Sequence, residues 1–200
     1  GPARALVAEE DIYARVGYRD EADFAVLAVE ADTLPDEAVA ATVAERTGVP
    51  ESGVFLPTFS TASITGSVVA AARAAELASF RLSELGYDPL EILSVSASAP
   101  IAPVADSEEA AMARTNDALA YGGQVHLTVE ESFDRFDEIA STAGEEYGEP
   151  FADIFASVDW DMTALPVELF APAQVTIDVL GGPTHVVGDT REDILAESFY

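Results

Sequence analysis

The sequence contains no cysteine and no lysine. Without cysteine there are no disulfides, no thiolate nucleophile and no cysteine-based metal site. Every basic residue is an arginine: Arg4, Arg15, Arg19, Arg46, Arg73, Arg81, Arg114, Arg135 and Arg191. Schiff-base chemistry, covalent attachment of pyridoxal phosphate or biotin, and a lysine-dependent phosphate loop are therefore excluded from this stretch. Long apolar runs are missing as well. The longest uncharged segment, Ser52 to Ala72, is broken by Pro57, Gly66 and a series of Thr and Ser residues, so no bilayer-spanning helix is expected. No basic-apolar leader opens the chain, and the expectation is a soluble, cytoplasmic protein. The chain starts Gly1-Pro2-Ala3-Arg4 with no initiator methionine, as a piece of something longer would.

What is present in excess is carboxylate. Over 200 residues, 37 Asp and Glu stand against 9 basic residues, a net charge of −28. Nucleic acid is a poor partner for such a chain, because phosphate binding needs clustered cations and this field repels a polyanion. Disorder is also excluded, since 49% of the residues are hydrophobic and disorder requires low hydrophobicity together with high charge. An apolar interior, a carboxylate-covered surface and no lysine read as adaptation to a cytoplasm of multimolar salt. There, self-repulsion is screened within a Debye length of about 3 Å at 1 M.

Strand-like and helix-like segments alternate along the chain. Phe24 to Glu30 reads as a strand, and Pro35 starts an acidic helix that stops near Gly48. Val54-Phe55-Leu56-Pro57 reads as a short buried strand. Ser63 is a candidate N-cap for one long helix ending at Gly86. Ile92 to Ser98 is the next strand. Asp106-Ser107-Glu108-Glu109 opens a helix that Gly122-Gly123 stops. Gln124 to Glu130 alternates like a strand, with an acidic amphipathic helix expected from there to about Ala143. Glu145 to Pro150 is a polar linker before a short helix, Pro150 to Val158. Val175 to Leu180 turns at Gly181-Gly182 into Thr184 to Val187 as a hairpin. The pattern argues a mixed α/β or α+β fold, built as one compact unit or two intimate α/β halves.

In so acidic a chain, uncharged segments mark what is hidden or used. From Ser52 to Phe80 only Arg73 and Glu76 carry charge, against 23% of the chain as a whole. Three residues apart on a helix, they share a face and reach each other. A structural i,i+3 ion pair is one reading. The other is chemical: a carboxylate held by a guanidinium can orient a water molecule and favour a neighbouring cation. A second constellation runs from Met112 to Gly123. There Arg114, Asn116 and Asp117 supply donors and acceptors suited to a polar heterocycle, and Gly122-Gly123 lets a backbone approach a ligand. A capped helix end with solvated side chains explains it equally well. The uncharged run Ser94 to Pro103 reads as core. His126 and His185 lack companion ligands at useful spacing, and Asp159-Trp160-Asp161 matches a cation loop only loosely. No Gly-x-Gly-x-x-Gly, Gly-x-Ser-x-Gly or His-Glu-x-x-His pattern occurs.

Taken in order, several of these segments resemble one family. They are Gly1-Pro2-Ala3-Arg4-Ala5-Leu6, Thr61-Ala62-Ser63-Ile64-Thr65-Gly66-Ser67-Val68 continuing to Arg73-Ala74-Ala75-Glu76, Ala99-Pro100-Ile101-Ala102-Pro103, Arg114-Thr115-Asn116-Asp117 with Tyr121-Gly122-Gly123, and Leu169-Phe170-Ala171-Pro172-Ala173. The chain as a whole resembles methenyltetrahydromethanopterin cyclohydrolase of archaea. The resemblance implies two closely associated α/β domains with a pocket between them, a homotrimer, and an enzyme of one-carbon metabolism. That enzyme hydrolyses the methenyl bridge of the cationic pterin coenzyme to the N5-formyl form, with no metal or bound cofactor. By motif, the family's Arg-x-x-Glu pair falls on Arg73 and Glu76. Glu76 would orient the attacking water and accept its proton, with Arg73 holding Glu76 in place. Thr61, Ser63, Arg114, Asn116 and Asp117 are the implied substrate-binding residues. The family chain carries roughly a further third before the Gly-Pro-Ala-Arg motif, including a lysine of its site. The alternative is a non-catalytic pterin-binding or oligomerisation module of the same fold.

Overall fold

A computed structural model describes residues 2–161 and 164–200, so Gly1 of the first motif lies outside the described residues. The fold is mixed α/β and divides into two compact units, residues 1–61 and 62–200.

In the smaller unit, α1 (Pro2–Val7) and α2 (Asp11–Val16) precede the short strands β1 (Ala25–Val26) and β2 (Val29–Glu30). The single strand expected over Phe24 to Glu30 is thus two. Each finds its own parallel partner: β1 pairs with β3 (Val54–Phe55) and β2 with β4 (Thr58–Phe59). The connecting helix, α3 (Glu37–Thr47), begins where the Asp36 side chain accepts from the Val39 N–H at 3.0 Å, and it ends at Gly48 in the left-handed region. A parallel pair needs a crossover of this kind. Ala3, Leu6, Ala25 and Val49 form the unit's buried core. The strand at Val54 is not buried as expected: Phe55 is 55% exposed, because each two-stranded ladder has only one partner and leaves a face open.

The larger unit is organised on a four-stranded sheet of order β5-β6-β7-β8, where β5 is Ile92–Ser98, β6 Gln124–Val129, β7 Gln174–Val179 and β8 Thr184–Gly188. β6 and β7 run parallel, and the outer pairs are antiparallel. The alternation read from the sequence for β6 is realised, and β7 alternates in the same way. Val125, Leu127, Val129, Val175, Ile177 and Val179 point inward, while their neighbours face out. The inward face packs on Leu77, Ala78 and Leu82 of α5 (Ala74–Glu84) and on Phe136, Ile139 and Ala140. A second cluster gathers α6 (Glu108–Gly122), α7 (Phe151–Ser157) and α8 (Glu192–Phe199) around Tyr121, Phe151 and Phe155.

Three expectations fail in this unit, each for a local reason. The long helix from Ser63 to Gly86 is two helices, α4 (Ile64–Ala71) and α5. The chain tightens between them as the Arg73 N–H bonds to Ala70, three residues back, instead of four. The acidic helix expected up to Ala143 is irregular chain with short 3₁₀ turns at Phe136–Glu138 and Ser141–Ala143. Its aromatics are taken by tertiary packing, with Phe133 and Phe136 against Tyr87 at ring-centroid distances of 5.6 and 6.1 Å. Tertiary contacts override helix propensity when the two compete. Finally, Ser94 to Ser98 lies on β5, at the edge of the sheet, and is exposed rather than core.

Gly188 marks where β8 crosses Ala173. Its φ is 76°, and a Cβ there would sit 2.1 Å from the Ala173 carbonyl oxygen and 2.6 Å from the Ala140 Cβ. Gly188→Ala should lower unfolding stability by about 2–4 kcal/mol in denaturant titrations. Gly181→Ala, at φ 71° but with open space around the new Cβ, should lose only about 1 kcal/mol. Equal losses in the two variants would show that close packing at Gly188 is not limiting.

Candidate functional site

The break between α4 and α5 places the charge pair. Arg73 occupies the cap position before α5, and Glu76 lies in its first turn, where a carboxylate complements the helix dipole. Nε of Arg73 donates to Oε2 of Glu76 at 3.3 Å and Nη2 to Oε1 at 3.2 Å, the parallel two-bond geometry of a guanidinium fork. The pair is open, with side chains 51% and 63% exposed. One turn to either side stand Val69 and Phe80, both exposed apolar residues.

The use of Arg73 differs from that of its neighbours. Within the larger unit, each other arginine reaches across the fold. Arg81 is buried and donates to the Glu138 carbonyl at 3.2 Å, with Glu168 at 3.5 Å. Arg114 donates to the carbonyls of Ser198 and Val104 at 3.1 and 3.2 Å. Arg135 joins Glu138 to the Leu85 carbonyl. Arg191 pairs with Asp193 and lies over the Tyr147 ring, 6.0 Å from its centroid. Among the described residues the Arg73 guanidinium bonds only to Glu76, three residues away. Arg81 was given no role in the sequence reading; it lies eight residues past Arg73, immediately after the low-charge stretch that ends at Phe80.

The other candidate residues are held by protein partners. Thr61 is buried, and its hydroxyl donates to the Glu30 carboxylate. Ser63 caps α4 by accepting from the Gly66 N–H at 3.0 Å, and the neighbouring Ala62 N–H donates to Glu108 at the start of α6. On α6, Asn116 donates to the Met112 carbonyl one turn back. Asp117 is fully buried. One carboxylate oxygen accepts from the Phe151 N–H at 2.8 Å, which otherwise would be an unpaired donor at the start of α7, and the other accepts from the Ser198 hydroxyl at 2.6 Å. Burial pushes its carboxyl up to about 6 despite these two bonds, with Asp153 and Glu197 adding to the rise. Asp117 thus ties α6 to α7 and α8. The close approach at Gly122-Gly123 is made by protein: a Cβ on Gly122 would meet the Pro100 ring at 2.6 Å, and one on Gly123 the Leu119 carbonyl at 2.5 Å.

His126 and Asp178 pair across the open face of the sheet at 2.6 Å, and His185 packs on Phe136. Among the described residues no group of three or more His, Cys, Asp or Glu side chains is arranged to hold a metal ion. Nor is any helix among them long and apolar enough to cross a membrane.

Comparison with known proteins places these features in a family. The family model described as Cyclohydrolase (MCH) matches residues 1–199. Over all of its length the chain is 56% identical to a protein of Halobacterium salinarum named methenyltetrahydromethanopterin cyclohydrolase. Proteins of the same name from Methanocella arvoryzae and Methanothermobacter marburgensis are 41% and 38% identical, again over 100% of this chain. The chain spans 64% of the Halobacterium and Methanocella relatives and 65% of the Methanothermobacter one.

The buried carboxyl of Asp117 has a definite effect on stability. Its folded pKa of about 6 lies above the ordinary 3.8, so the stability it contributes is full below about pH 4 and is lost as pH rises toward 6. Asp117→Asn keeps an acceptor for Phe151 and a donor for Ser198 without the charge. Thermal unfolding of that variant should vary less between pH 4 and 6, and at pH 7.5 it should be more stable than the parent by on the order of 2 kcal/mol. A variant less stable at pH 7.5 would show that the ionised form is the one the fold requires.

Proposed function

Because the chain belongs to the cyclohydrolase (MCH) family, we propose that it forms the larger part of an enzyme that hydrolyses the methenyl bridge of 5,10-methenyltetrahydromethanopterin. Water adds to the methenyl carbon, one carbon–nitrogen bond breaks, and the products are the N5-formyl coenzyme and a proton. The observation that carries this reading is the family match along the whole chain, together with relatives of that printed name at 38–56% identity.

In this reading Glu76 orients the attacking water and accepts its proton, while its negative charge favours the amidinium-like substrate. Arg73 fixes the rotamer of Glu76 through the two-bond fork. That the guanidinium holds no other segment among the described residues, and that the carboxylate is open to solvent, supports assigning both to chemistry. Thr61, Ser63, Arg114, Asn116 and Asp117 contribute to binding, Arg114, Asn116 and Asp117 by fixing α6 and the segments it holds. The pterin carrier is the substrate, and the reaction starts from an already activated cation, so no further cofactor enters the scheme. The enzyme works as a homotrimer in a cytoplasm of high salt, the condition its carboxylate surface suits.

The test uses the complete encoded protein in molar KCl. The methenyl absorbance of the substrate should bleach, and Glu76→Gln should slow bleaching by about 10²–10⁴-fold while substrate still binds. Full turnover in Glu76→Gln would remove Glu76 from the mechanism. Binding without turnover in the parent protein would instead favour a pterin-binding module.

A further inference from the structure

The smaller unit holds a cavity of about 340 Å³ that the proposed reaction does not use. Its floor is apolar, made by Ala3 and Val7 of α1, Leu27 between β1 and β2, and Val43 of α3. Its rim carries Arg4, Arg46, Glu9 and Glu10, so two of the nine arginines in the whole chain stand at one opening. The volume is at the small end of the range typical of ligand sites, and an apolar floor with a few convergent polar groups is their usual make-up.

The rim is self-satisfied in an unequal way. Arg4 gives Nε and Nη2 to the two oxygens of Glu10 at 2.8 and 2.6 Å, a complete fork. Arg46 gives only Nη2, to Glu9 at 2.7 Å, and its Nε and Nη1 have no protein partner among the described residues. The backbone is bent to deliver both glutamates: Ala8, immediately before them, has a φ of 52°, in the left-handed region that a Cβ disfavours. The glutamates that read from the sequence as part of a salt-adapted surface therefore have a local duty, placing carboxylates on the guanidinium groups over an apolar floor. A carboxylate seated singly on Arg46 is replaceable by one that offers both oxygens, since the two-bond fork is the stronger arrangement. The net charge of the chain is no barrier in molar salt, where it is screened within about 3 Å.

We propose that this cavity binds a small organic carboxylate with an apolar ring or branched body, the body resting on Leu27 and Val43 and the carboxylate replacing Glu9 on Arg46. The proposal stands apart from the cyclohydrolase reading, since none of its residues belongs to the proposed catalytic pair.

The test titrates the protein in molar KCl with 1-naphthoate, followed by calorimetry, with neutral 1-naphthalenemethanol as the control. Naphthoate should saturate at one per chain with a dissociation constant in the millimolar range or tighter. Arg46→Gln should weaken it about tenfold. Glu9→Gln, which withdraws the competing carboxylate, should tighten it severalfold, and neither variant should alter the weak binding of the alcohol. Circular dichroism checks that both variants are folded. Unsaturated binding of naphthoate, equal binding in Arg46→Gln, or weaker binding in Glu9→Gln would each overturn the proposal.

Discussion

The burial of Arg81 beneath the sheet of the larger unit is the interaction on which that unit's assembly depends. Its guanidinium holds the Glu138 carbonyl and faces Glu168, joining α5 to two segments that have no regular helix or strand of their own. Arg81 itself is buried while Glu168 is partly exposed, so losing the guanidinium costs mainly its bond to the Glu138 carbonyl and the packing of its stem, about 2–3 kcal/mol. In a chain with 37 acids and nine bases, a cation placed this way does what several ordinary contacts would do elsewhere. Arg114, Arg135 and Arg191 repeat the pattern, each fixing loop or terminal chain to an element. Against that background the fork of Arg73 closes on its own helix turn.

Much of the fold was legible in the sequence where local chemistry decides it. The cap at Ser63 is where the residues indicated, and the helices expected to start at Pro35 and at Asp106 to Glu109 do start there, capped by Asp36 and Ser107. Strand β6 follows its alternating pattern, and β7 and β8 form the hairpin expected about Gly181-Gly182. Where the reading failed, the deciding contacts were remote. Nothing in Glu130 to Ala143 itself says that Phe133 and Phe136 will be drawn to Tyr87 and that Arg135 will bond the Leu85 carbonyl. Likewise the lack of charge in Ser94 to Ser98 signals burial only if the strand is central, and edge position is a property of sheet order.

The candidate site divides in the same way. The contrast that singled out Arg73 and Glu76, two charges in a long neutral stretch, depended on composition and helical spacing, and the pair does meet. The constellation on α6 was ambiguous because its residues bond equally well to a ligand or to protein. Phe151, Ser198 and Pro100, the partners that occupy it, come from distant parts of the chain. The acids at Glu9 and Glu10 were legible only as surface. Their relation to Arg4 and Arg46 requires the turn at Ala8 and the placement of α3 beside α1.

The claim that Arg73 serves chemistry while Arg81 serves the fold is tested most directly by comparing Arg73→Gln with Arg81→Gln in the complete protein. Unfolding free energy and methenyl hydrolysis would be measured on both in molar KCl. The account predicts that Arg73→Gln stays within about 1 kcal/mol of the parent in stability, as an exposed pair should, yet loses most of its turnover. Arg81→Gln should lose about 2–3 kcal/mol. An Arg73→Gln protein that turns over normally, or that is destabilised as much as Arg81→Gln, would contradict it.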